Sequence, residues 1–177
     1  FNQLLGKTIG NEIKAFLKET YGITPAVRVA NDTICLILSG TQEFEPDSLT
    51  AGVIGTGFNF GIGFKNAFVN LELGNFNVFD ITDSCRNINS ESLNPGEQLL
   101  EKEISGAYLY QHYNYYAEKY KLKQISSSIE LDSISKQDSK DGLLANMLIE
   151  RSASLSAAAL AGILTFKNQN ENNIILE

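Results

Sequence analysis

Apolar residues at Leu4, Leu5, Ile9, Ile13, Phe16 and Leu17 recur at the spacing of one helix face, with Lys, Glu and Asn between them. This pattern predicts an amphipathic helix over 4–21, ended by Gly22 and Pro25. The short β-prone run Ala26–Ala30 then predicts a strand, so Asn31 and Asp32 are expected where a strand leaves its sheet. In 51–63 a glycine-rich segment leads into Phe60, Ile62 and Phe64 at every second position, the signature of a hairpin. Over 68–76, Phe68, Asn70 and Glu72 alternate with Val69, Leu71 and Leu73, which predicts a half-buried strand carrying Asn70 and Glu72 on one face. The polar stretch 80–91 reads as a loop.

Ser92 to Glu97 brings polar cap candidates, Pro95 near a first turn and an acid inside it. One helix is expected from there to about Tyr120, with Leu100, Ile104, Tyr108 and Tyr115 as its buried stripe. The segment 121–142 reads as a connector with short helical turns. A strong helix follows over 143–166, where Ala153, Ser156, Ala157, Ala158, Ala159, Ala161 and Gly162 permit close approach of another element. The final Ile174-Ile175-Leu176 reads like the start of a buried strand, so a piece of something larger is expected. The alternation of helices and strands predicts an α/β fold, a mixed sheet with packed helices.

Composition narrows the partners. A chain of 177 residues with 43% hydrophobic content can bury the core of one domain or slightly more. A net charge of −7 without a Lys/Arg cluster argues against nucleic acid or an anionic membrane as the main partner and favours a small neutral ligand or a protein. Glu150 and Arg151 interrupt the apolar run of the late helix before it is long enough to span a bilayer, and the first residues lack a signal pattern, so a soluble, cytoplasmic protein without a membrane-spanning segment is expected. Cys35 and Cys85 lie in unlike settings and are expected as free thiols.

Several positions carry possible chemistry. Asp32 is either a carboxylate exposed at the end of a strand, where ligands of open α/β sheets bind, or part of a helix cap with Thr33. Gly55-Thr56-Gly57 fits neither the P-loop nor the dinucleotide fingerprint. It reads as a tight β-turn, whose backbone N–H groups and Thr56 hydroxyl could also meet anionic oxygens. Glu72 belongs either to a solvated strand face or to a site, and Glu101 is equally explained as a dipole-favoured acid in the first turns of a helix. His112, the single histidine, has no ligand partner at metal spacing and is expected as a partly exposed helix residue; no metal site is predicted.

Taken in order, these segments resemble the hexokinase family of ATP-dependent sugar kinases. Val29-Ala30-Asn31-Asp32-Thr33 resembles its VNDT segment, Ile54-Gly55-Thr56-Gly57-Phe58-Asn59 its GTG-x-N turn, and Val69 to Phe76 its N-x-E-W-G-x-F strand, with Leu73 in place of the aromatic. Ser92 to Leu109, SLNPGEQLLEKEISGAYL, follows the family's SLNPG-x-Q-x-x-EK-x-ISG-x-YL closely, and Arg151 to Gly162 resembles its late small-residue helix. The resemblance implies an actin-like ATPase fold with a ribonuclease H-like core, here incomplete. Residues 1–31 would be the end of the small domain, as helix plus strand, and 32–177 most of the large domain, truncated before the nucleotide-binding segment.

It also implies that Asp32 is the general base in transfer of the ATP γ-phosphate to the 6-hydroxyl of glucose or a similar hexose. Asn31, Asn59, Glu72 and Glu101 would hold the sugar, and Gly55, Thr56 and Gly57 would approach phosphate. ATP with Mg2+ would be bound mainly by segments outside this chain. By itself the chain is then expected to be inactive. The alternative is a hexokinase-like module that binds sugar without phosphorylating it.

Overall fold

A computed structural model describes residues 5–168 and 172–177. Its centre is an antiparallel meander of β1 (Leu49–Ile54), β2 (Phe58–Phe64) and β3 (Ala67–Asn70). On the far side of β1 a fourth strand, β4 (Asn173–Leu176), pairs in parallel, giving the order β3-β2-β1-β4. Alternation sorts β2 between two faces. Phe58, Phe60 and Ile62 turn into a core with Leu100, Ile104 and Ile163, while Asn59 and Gly61 lie on the opposite face.

That opposite face receives α2 (Asp32–Gly40), whose Ile37 packs with Leu49 and Ala51. Gly61 makes the approach possible: a Cβ there would stand 2.9 Å from Ile37 Cδ1 and 3.3 Å from Thr33 Oγ1. On the first face lie α4 (Leu99–Ile104) and the 28-residue α7 (Lys140–Lys167). A second core, with Tyr113, Ala117, Leu131, Ala145 and Leu148, joins α5 (Gly106–Tyr120) and α6 (Ser128–Ser135) to α7.

The structure departs from the sequence-based expectations at five places. First, Ala26–Ala30 forms no strand, although α1 (Ile9–Tyr21) is present before it. A β-prone run becomes a strand only with a ladder partner, and here Val27 and Val29 lie against Gly10 of α1 instead. Leu4, expected in that helix, lies outside the described residues. Second, residues 83–91 form α3 (Asp83–Glu91) where a loop was expected. The Thr82 hydroxyl caps its start by accepting from Cys85 N–H, and Ser84, Cys85 and Ile88 supply a buried face.

Third, the helix expected to run to Tyr120 is broken at Ser105 (ψ 154°), because Gly106 N–H leaves the helical ladder to donate to Gly55 O at 2.7 Å. Fourth, β3 stops at Asn70, so Glu72 is not a strand residue; it takes a left-handed conformation (φ 48°, ψ 45°) ahead of the 3-10 turn Leu73–Asn75. Fifth, His112 is buried, at 2% exposure. In addition, α7 is long and apolar enough to cross a membrane by length and composition alone, its best window reaching a mean hydropathy of 1.4 even with Glu150 and Arg151 inside it. Here it packs along α4, α5 and α6, and Arg151 pairs with Glu103 at 2.5 Å.

Candidate active site

The expected site residues gather where α2 begins, beside the ends of β2 and β3. Asn31 is the N-cap of α2, and its Oδ1 accepts from Thr33 N–H at 2.9 Å and from the Thr33 hydroxyl at 2.5 Å. Asp32 is the first helical residue, exposed, and its Oδ1 accepts from the same Thr33 N–H at 2.7 Å. The cap is therefore Asn31, and Asp32 keeps an exposed carboxylate at a helix N-terminus, where negative charge is favoured.

Thr33 and Asn70 join these residues to the sheet. The Thr33 hydroxyl lies 3.2 Å from Asn70 Oδ1, and Asn59 Nδ2 donates to the same oxygen at 2.7 Å. Asn59 Oδ1 accepts from Phe60 N–H at 2.8 Å and from Leu73 N–H at 3.1 Å. Asn70 Nδ2 donates to Glu72 Oε1 at 2.5 Å. Glu101 comes from the other side, where Oε2 accepts Phe58 N–H at 3.0 Å, next to Asn59 in the chain.

Gly55-Thr56-Gly57 forms the tight turn between β1 and β2, closed by Gly55 N–H to Gly57 O at 3.0 Å. Thr56 is exposed, and a Cβ on Gly55 would meet nothing within 4 Å, whereas one on Gly57 would stand 3.3 Å from Glu101 Oε2. The turn is thus open outward and abuts the site. All eight expected residues fall in one region: Thr33 and Asn70 link Asn31, Asp32, Asn59 and Glu72, and Glu101 lies between Asn59 and the turn.

Those two linking residues were not among the expected site positions. Their signals lay in the quoted motifs: Thr33 closes the NDT segment, and Asn70 stands two residues before Glu72.

Beneath Glu101 lies a buried polar layer that periodicity did not disclose. The Lys102 ammonium, fully buried, donates to Asn89 Oδ1, Ser92 Oγ and Asn94 O at 2.8–3.0 Å, and burial lowers its pKa. Glu103, 1% exposed, accepts from Thr82 N–H and its hydroxyl and faces Arg151. His112 bridges Lys102 O and Ser84 Oγ, both at 2.8 Å. Because the carbonyl only accepts, Nε2 carries the proton and Nδ1 accepts from the serine. Burial holds the histidine below its usual range, and burial beside Glu103 pushes the Cys85 thiol up to about 12. These contacts fix α4, and with it the carboxylate of Glu101. Among the described residues no three His, Cys, Asp or Glu gather to hold a metal ion.

Residues 50–113 match the family model described as Hexokinase. Over 98 residues the chain is 37% identical to hexokinase-1 of Arabidopsis thaliana, covering 46% of this chain and 20% of that protein. Over 122 residues it is 33% identical to the chloroplastic hexokinase-2 of Nicotiana tabacum, covering 58% of this chain and 24% of that protein. The chain thus matches about a fifth to a quarter of the length of these curated relatives. Among solved structures, the hexokinase of Schistosoma mansoni complexed with glucose superposes with a TM-score of 0.77 at 21% identity, covering 97% of this chain and 52% of that one. A ROK family glucokinase of Streptomyces griseus, solved with glucose and AMPPNP, gives 0.55 at 18% identity, covering 85% and 52%.

The mixed sheet and its helices therefore share the actin-like ATPase fold of these two solved structures. Within that class of fold, residues 50–113 match the hexokinase model and the chain is similar to plant hexokinases over part of their length.

Proposed function

We propose that this chain is the sugar-facing part of a hexokinase, a protein that transfers the ATP γ-phosphate to the 6-hydroxyl of glucose or a similar hexose in the cytoplasm. The observation that carries this is the convergence of Asn31, Asp32, Asn59 and Glu72, drawn from three separate segments, around one hydrogen-bonded network, with Glu101 held beside it on Phe58 N–H. Amides both donate and accept, and carboxylates only accept, so together they can hold a ring of hydroxyls in fixed orientation.

Asp32 is the base. Its carboxylate is exposed, one residue from the sugar-side Asn31 and fixed by a single backbone bond, which leaves oxygen lone pairs for the proton of the attacking hydroxyl. The turn Gly55-Thr56-Gly57 approaches phosphate, with the exposed Thr56 hydroxyl as donor and the open side of Gly55 leaving room for it. ATP with Mg2+ supplies the phosphoryl group and neutralises its charge, and is held mainly by parts of the enzyme outside these residues. The joint between small and large domains falls at residues 31–32, so the base stands where domain closure brings sugar and phosphate together. The chain by itself would then lack turnover.

Coupled sugar-phosphorylation kinetics on Asp32→Asn in the full-length protein test the assignment. A positioned base contributes ~10²–10⁴-fold, so kcat should fall by at least about 100-fold with the glucose KM little changed. Retention of kcat within about threefold would refute the role of Asp32.

A further inference from the structure

Two backbone N–H groups set the polarity of the whole constellation. Phe60 N–H and Leu73 N–H both point at the Asn59 side chain, and a backbone N–H only donates, so the atom they reach is Oδ1. That turns Asn59 Nδ2 toward Asn70, which must answer with its own Oδ1 at 2.7 Å, the oxygen that the Thr33 hydroxyl also faces. Asn70 Nδ2 is thereby aimed at Glu72 Oε1, at 2.5 Å. Glu72 needs such a partner. It stands at φ 48°, a left-handed conformation that is strained for a residue with a Cβ, and its side chain is exposed.

We propose that Asn70 is a positioning residue of the sugar site, a single amide that orients both the Asn59 side chain and the Glu72 carboxylate. The proposal rests on the kinase reading of the site. Its consequence is chemical. With Oδ1 of Asn59 and Oδ1 of Asn31 both committed inside the protein, the two asparagines meet a ligand as N–H donors. The second oxygens of Glu72 and Glu101 meet it as acceptors. A hydroxyl lodged between Asn59 and Glu72 accepts from one and donates to the other. An O-methyl ether at that place could only accept, which would leave a carboxylate oxygen unpaired.

The test uses glucose kinetics and calorimetric glucose binding in the full-length protein and in the variants Asn70→Asp and Asn70→Ala, with melting temperature as a check on folding. Asn70→Asp is isosteric and keeps the acceptor for Asn59 and Thr33, but it removes the donor to Glu72 and sets a carboxylate against it. The expected result is a glucose KM raised about 10- to 100-fold at about pH 8, as for loss of a hydrogen bond to a charged group, with kcat changed less than about threefold. Lowering the pH to about 6 should return the Asn70→Asp value toward the unsubstituted one, because a proton shared between two adjacent carboxylates restores a donor.

Asn70→Ala should show no such recovery. If it fails to fold, Asn70→Asp, which keeps every contact made by Oδ1 and loses only the Nδ2 donor, carries the test. An unchanged KM in Asn70→Asp, or a defect of the same size at every pH, overturns the role of Asn70 while the kinase stands. Absence of both glucose binding and turnover in the unsubstituted protein overturns the kinase reading and the proposal together.

Discussion

The same chemical change, glycine to alanine in a helix, is expected to have opposite signs at Gly106 and Gly162. Gly162 lies inside α7, exposed, and a Cβ there would meet nothing within 4 Å. Alanine at that position should stabilise by roughly 0.5–1 kcal/mol, through helix propensity and a less flexible unfolded chain. At Gly106, the first residue of α5, the same propensity gain is opposed by contact. A Cβ would lie 2.8 Å from Gly55 O and 3.4 Å from Gly55 C, atoms of a backbone that cannot rotate away. Relief requires moving the Gly55-Thr56-Gly57 turn and lengthening the 2.7 Å bond from Gly106 N–H.

Overpacking costs about 1–3 kcal/mol and a weakened hydrogen bond about 0.5–1.5, so the clash wins and Gly106→Ala should lose about 1–3 kcal/mol net. In a chain of this size that is a fall in melting temperature of roughly 2–12 °C. Urea unfolding followed by circular dichroism measures both variants, with an unchanged m-value as the sign that only stability has moved. A neutral or stabilising Gly106→Ala would refute the idea that the broken α4–α5 junction is held by the β1–β2 turn.

His112 gives a pH prediction. Its folded pKa lies below the ordinary 6.5 because of burial, so the unfolded chain binds the proton more readily and stability should fall as pH drops through about 6.5. His112→Gln should flatten that part of the melting-temperature profile; an equally steep profile in the variant would exclude His112 as its source. Cys35 is exposed whereas Cys85 is buried with its thiol pushed up to about 12, so an aromatic disulfide reagent at neutral pH should titrate one thiol quickly and the second only on denaturation. Two fast thiols in the native protein would contradict the burial of α3.

The elements written in local periodicity were readable from the sequence. The β1–β2 hairpin follows from Phe60, Ile62 and Phe64 at every second position after the glycine-rich turn, and α7 from its helical composition. The site segments were legible as motifs because each is short and ordered along the chain. What stayed hidden depends on partners distant in sequence. Ser105 breaks a helix because of Gly55, about 50 residues earlier, and nothing near Ser105 announces it. His112 is buried by Ser84 and the Lys102 carbonyl, and Glu103 by Thr82 and Arg151, so a polar pattern that reads as solvated is in fact saturated. The run 26–30 has strand propensity but no neighbour to pair with among the described strands. Thr82 as a cap was visible in principle, but the weak apolar content of 83–91 concealed the helix it starts.

The parallel pairing of β4 with β1 also governs when the sheet can exist. Lys167, at the end of α7, donates to Leu49 O at 2.7 Å across 118 residues of sequence, and β4 docks directly afterwards. Closing a loop of that length costs about 4 kcal/mol of chain entropy before any contact repays it. The β1–β2–β3 meander and α2 can assemble from neighbours in sequence, but the outer edge of β1 stays an open row of hydrogen-bonding groups until α7 has been made and packed. On a ribosome, the segment from β1 through β4 must therefore emerge before that edge is covered, and Lys167 is the residue that brings it to its partner.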